Sequence, residues 1–141
     1  MALLEWLDPP FSCGHWNPEL VRLAVGIEGL GQEGGPSRTL RWEEVVAWQP
    51  EVVFVACCGL NVERTLHDIS LVQSISGWQE LPAVRSGHLF VTDSSQYFSR
   101  PGSRLVDSLE MLAHILHPSI HPLPSGLPTP IAVNRACVGS K

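Results

Sequence analysis

The chain has 141 residues, 44% of them hydrophobic and 16% charged, with a net charge of -5; this length suits one domain with one core and is short for two ordinary lobes. Acids and bases are interspersed, which excludes a basic footprint for nucleic acid or a membrane surface, and no apolar run approaches the roughly 20 residues of a spanning helix. The N-terminus lacks the basic, apolar and small-residue regions of a signal peptide, so the chain as written is expected to be cytoplasmic.

Leu3-Leu4-Glu5-Trp6-Leu7 reads as a buried strand, stopped by Asp8-Pro9-Pro10 because proline has no N–H to give a ladder. A loop through Phe11, Cys13, His15 and Trp16 follows. Asn17-Pro18-Glu19 then opens a helix to about residue 25, with Asn17 as N-cap, Pro18 at the first helical position and Glu19 facing the positive end of the dipole. Residues 26–35 are glycine-rich and read as a surface loop, and residues 36–40 as a short edge strand. Residues 42–48 form a helix with Glu43 and Glu44 in its first turn, ended by Pro50.

Residues 51–56 are β-branched and apolar on both faces, which predicts a central parallel strand. Cys57-Cys58-Gly59-Leu60 follow directly, and Asn61 caps a helix with Val62, Leu66, Ile69 and Val72 on one face. Residues 77–82 read as a loop, 83–87 as a turn and 88–92 as a third strand ending at Asp93-Ser94-Ser95. A helix over 101–117 carries an apolar stripe of Leu105, Leu109, Leu112 and Leu116, joined by Val106 and Ala113. The domain is expected to span 1–118. Residues 119–141, broken by Pro122, Pro124, Pro128 and Pro130, are expected to form an unordered tail.

Strands alternating with helices predict an α/β lobe, Rossmann-like and three-layered, with a mostly parallel sheet and helices on both faces. Right-handed crossovers gather the strand carboxyl ends at one edge, where open α/β sheets bind ligands. The loops at 8–16, 57–60 and 93–100 should converge there.

Six segments in order, Leu4-Glu5-Trp6-Leu7-Asp8-Pro9, Gly14-His15-Trp16-Asn17-Pro18-Glu19-Leu20-Val21, Trp42-Glu43-Glu44-Val45, Pro50-Glu51-Val52-Val53, Ala83-Val84-Arg85-Ser86-Gly87 and Arg100-Pro101-Gly102-Ser103-Arg104-Leu105-Val106-Asp107, carry a resemblance over residues 3–118. Together they resemble the C-terminal lobe of cobalamin-binding, periplasmic-binding-protein-like proteins of the ABC importer type (class III). In that family two Rossmann-like lobes, joined by a long helix, hold a corrinoid or iron chelate between them; the resemblance implies a second lobe without the first. It implies binding and transport, no catalysis and no tightly bound cofactor, with cobalamin or a related corrinoid as ligand. The partners it implies are a corrinoid or metal chelate and a second lobe, a second copy of the chain or an ABC permease. Relatives in bacteria are often periplasmic. One departure is Ala24-Val25-Gly26, where the family has Ala-Gly-Gly, and Val25 suits a positive φ poorly.

The candidate ligand residues are Phe11, His15, Trp16, Cys58, Gly59, Tyr97, Phe98 and Arg100. Phe11, Trp16, Tyr97 and Phe98 offer aromatic faces for a broad ring or, alternatively, fill the core. His15 could ligate cobalt or donate to a corrin amide, or simply bind backbone. Arg100 and Arg104, at a helix start, need a partner such as Asp93, Asp107 or a ligand acceptor. Glu43 and Glu44 stand where the family presents acids to its permease, or serve only their own helix.

Cys13, His15, Cys57 and Cys58 form a rival set, for zinc or for a thiol nucleophile with His15 as base. Their spacing matches no zinc motif. A plain interaction domain is the third reading. Mutase-type use of cobalamin is disfavoured, because no Asp-x-His-x-x-Gly supplies an axial histidine. With Cys137, the cysteines lack any CxxC spacing, and a reducing compartment fits them.

Overall fold

A computed structural model of the chain describes residues 1–134. The elements run β1 (Ala2–Leu7), β2 (Pro10–Ser12), α1 (Asn17–Leu23), α2 (Trp42–Trp48), β3 (Val53–Val55), α3 (Val62–Val72), α4 (Pro82–Ser86), β4 (Leu89–Val91), α5 (Arg104–Leu116) and β5 (Ile131–Ala132). They build one five-stranded sheet in the order β2-β1-β3-β4-β5. The three inner strands are parallel, with Leu4 opposite Val55 and Val55 opposite Val91. Both edges are antiparallel additions.

The period of two along each strand sorts the core into two layers. Leu4, Val53, Val55, Leu89 and Val91 face Val45 of α2, Ile69 and Val72 of α3 and the buried Trp78. Leu3 and Phe54 face Val21 of α1 and Met111 and Leu112 of α5. Helices therefore cover both faces, as the alternation of elements predicts.

Local chemistry explains the better-formed ends. Asn61 Oδ1 accepts from the Arg64 amide at 2.9 Å and starts α3. After α1, the amides of Val25 and Gly26 return to the carbonyls of Arg22 and Val21 in a Schellman arrangement. The pivot is Val25, at φ 60.

Five expectations are corrected. Phe11 and Ser12 belong to a hairpin strand and not to a loop, because the Asp8-Pro9 turn reverses the chain onto β1, with Leu7 opposite Pro10. Asn17 is not the cap: it lies in the first turn with its side chain turned inward, and Trp16 holds the cap position. Residues 82–86 make a short helix, pre-set by Pro82 and closed by Gly87 at φ 76. Val106 leaves the apolar stripe of α5 and is 61% exposed. Finally, 119–134 is not an unordered tail. Leu123 and Leu127 pack beside α5, Val133 is buried, and β5 pairs with β4. Residues 135–141, including Cys137, lie outside the described residues.

Candidate ligand cleft at the carboxyl edge of the sheet

Glu5 organises this edge. It is the one acid in an otherwise apolar strand, and its carboxylate accepts from the Gly14 amide at 3.2 Å, Asn17 Nδ2 at 2.9 Å and the Ser37 hydroxyl. Its own carbonyl accepts from the Cys58 amide at 3.0 Å. One residue thus ties together β1, the loop after β2, the segment before α2 and the loop after β3. A Cβ on Gly14 would collide with the backbone of Pro36 and Ser37, so only glycine lets those two loops close. Asn17 Nδ2 also reaches the Phe98 carbonyl at 3.5 Å, to which Trp16 Nε1 donates at 3.0 Å. The three expected loops do converge.

Against Glu5 lies an open cleft of about 310 Å³ lined by Glu5, Trp6, Pro9, Phe11 and Cys58. Phe11 and Cys58 are thus brought together, joined by Trp6 and Pro9, which sequence reasoning did not select. Trp6 Nε1 donates to the Asp8 carbonyl at 3.2 Å, which satisfies the indole's one polar group within the chain. Glu5 was also missed, although a lone carboxylate inside an apolar strand is a legible signal that polar partners must meet it.

The other candidates divide. His15 is exposed, with its ring 5.8 Å from that of Trp16. Trp16 is half-buried and fixed through its N–H. Gly59 is exposed at φ 75 in the turn after Cys58. Tyr97 is half-buried under the Arg104 guanidinium, 5.8 Å from the ring centroid. Phe98 is corrected: it is 1% exposed and packs on Phe54 at 5.1 Å, so it is core and not a ligand wall. Arg100 is exposed at a separate cavity beside α5. Glu44 is occupied: the Arg41 amide, and after it the Arg38 guanidinium, donate to its carboxylate and hold it below the ordinary range, while Glu43 remains exposed.

The rival cysteine set is taken apart by the sheet. Cys13 packs in the layer of α1 and α5, Cys57 in the opposite one. Burial raises both thiols, Cys57 to about 12 and Cys13 further, with Glu28 and Glu5 adding to the effect at Cys13. Among the described cysteines only Cys58 is exposed. Among the described residues no three His, Cys, Asp or Glu side chains are placed to hold a metal ion.

The family model for periplasmic binding proteins matches residues 11–96. The chain belongs to the periplasmic binding protein family. No curated protein sequence matches it. Among solved structures, the binding-protein fold recurs in a periplasmic heme-binding protein from Pseudomonas aeruginosa (22% identity, TM-score 0.70, covering 94% of this chain and 48% of that one). It recurs in an ABC transporter substrate-binding protein from Listeria monocytogenes (14%, 0.71, 84% and 47%) and in the periplasmic vitamin B12 binding protein of Vibrio cholerae (23%, 0.62, 82% and 42%). The chain spans less than half the length of these binding proteins. Among its described residues no helix is long and apolar enough to cross a membrane.

Proposed function

We propose that this chain is a non-catalytic binding lobe for a corrinoid or metal-chelate ligand, acting by shape and ring contact at the carboxyl edge of the sheet. The apolar cleft of Trp6, Pro9, Phe11 and Cys58 carries this reading. Aromatic side chains give large contact area at small entropic loss, and a flat ring seats against such a wall without needing a charged partner. Two of the structurally similar proteins bind vitamin B12 and heme, both metal-bearing macrocycles. His15 and Trp16 lie on the loop after β2, outside the lining of this cleft, and Glu43 is the acid free to meet an ABC permease. In this reading Glu5 positions the loops and does not touch the ligand's metal.

Absorbance and calorimetric titration with cobalamin and cobinamide tests the proposal. Saturable binding is expected, with Phe11→Ala weakening it about tenfold, the loss of one good aromatic contact. Phe11 is half-buried at a sheet edge, so the fold should survive the change, and circular dichroism checks it. No heat and no spectral change up to millimolar ligand would overturn the reading.

A further inference from the structure

Beside α5 a second cavity, of about 330 Å³, is lined by Ser95, Gln96, Arg100, Pro101, Gly102, Ser103 and Arg104. Its charge is unbalanced. Neither Arg100 nor Arg104 forms an ion pair among the described residues. The acids named by sequence proximity are not available in the way expected: Asp93 accepts from the amide and hydroxyl of Ser95 and from Gln96, and Asp107 pairs with neither arginine. Arg104 meets only the neutral Gln96 Oε1, at 3.3 Å, and the Tyr97 ring. Arg100 has no hydrogen-bond partner among the described residues, and the Ser103 hydroxyl caps nothing. Beside Gly102, at φ 142, the space next to Cα is open, so no side chain closes the cavity there.

Two guanidiniums without acids, beside the uncapped Ser103 hydroxyl, supply the charge and the planar donors that a carboxylate or phosphate group accepts. The cavity lies on the loop after β4, which opens at the same sheet edge as the apolar cleft, and the Trp16 N–H bond to the Phe98 carbonyl ties that loop to the one after β2. We infer that Arg100 and Arg104 receive an anionic substituent of the ring ligand, so that the lobe selects a carboxylate- or phosphate-bearing macrocycle over a neutral one. This inference rests on the proposed binding function and narrows its ligand class.

The test uses the whole chain and two matched ligand pairs: an iron porphyrin dicarboxylic acid against its dimethyl ester, and cobalamin, which carries a phosphodiester, against cobinamide, which does not. In at least one pair the member that carries the anionic group should bind about tenfold more tightly than the one that lacks it, the difference expected of one charge-assisted contact. The pair that responds distinguishes a carboxylate from a phosphate. Arg100→Gln with Arg104→Gln should erase the difference and leave the affinity of the member that lacks the group unchanged, while Arg100→Lys, which keeps charge without the fork, should restore part of it. Raising salt should weaken only the member that carries the group. Equal affinity within both pairs would overturn the inference and leave the binding function standing; failure of all four ligands would overturn both. Unchanged melting of the double variant separates a lost contact from a lost fold.

Discussion

Val25 stands where an L residue, and a β-branched one above all, is least at ease. Its φ of 60 closes the Schellman turn after α1, and its side chain is 79% exposed, so it gains little packing in return. Val25→Gly should therefore stabilise the protein by about 0.5–1 kcal/mol after the added freedom of the unfolded chain is subtracted, a gain that denaturant unfolding measures directly. The thiols give a second check at this scale. In a Cys137→Ser background, iodoacetamide should modify Cys58 in the folded protein and reach Cys13 and Cys57 only on unfolding, since buried thiols held protonated are poor nucleophiles. Fast labelling of three thiols would contradict the two-layer placement. Glu28 supplies the third. Burial raises its pKa, with three backbone N–H groups, of Leu3, Leu30 and Gly31, pulling the other way. A carboxyl whose folded pKa lies above its unfolded value favours the folded state most at low pH and loses that contribution as pH rises from the ordinary carboxylate range through the folded pKa. The stability of the wild type relative to Glu28→Gln should accordingly decline on going from pH 4 towards neutrality. A flat or rising difference would refute this.

Elements whose stability comes from side-chain pattern were readable in advance. The apolar run of β1, the β-branched run of β3 and the one-sided stripes of α3 and α5 face the core as their periodicity selects, with Val106 of α5 the exception. Elements held by backbone pairing were not. β2 is three residues, Pro10–Ser12, directly after Pro9, and β5 is Ile131–Ala132 between Pro130 and Val133; neither offers a period to detect. The site divides along the same line. Phe11 and Cys58 were legible as loop residues at strand ends, whereas Trp6 and Pro9 join them only because the hairpin folds back, and Phe98 differs from Tyr97 only by which way one peptide turns. The same argument makes a prediction for β5. Deleting 119–141 removes its pairing with β4, exposes Leu89 and strips Leu123 and Leu127 from the α5 layer. The melting temperature should fall by more than about 5 °C, on the order of 1–2 kcal/mol for a domain of this size. An unchanged melting curve would mean that the segment contributes nothing to the lobe.

For the molecule as a whole, the cleft is a single wall. A flat ring seated on Trp6, Pro9 and Phe11 has one face covered and the other in water, whereas a ring enclosed on both sides has both covered. Half of a nanomolar-scale binding free energy, about 6 of 12 kcal/mol, corresponds to an affinity on the order of 10–100 μM. The uncovered apolar wall should also promote weak self-association, which a ring ligand would compete away. Trp16 is a poor residue with which to test this, because its N–H holds the Phe98 carbonyl and its removal would loosen the loops themselves. Phe11 is better placed: it lines the cleft, and its backbone is secured by β1 and by the bridge to Thr39. We therefore expect sedimentation to show concentration-dependent dimerisation that both Phe11→Ala and saturating cobinamide reduce, with calorimetry giving micromolar affinity. A strict monomer at high concentration together with nanomolar affinity would mean that the one lobe closes around its ligand, and the single-wall argument would fail.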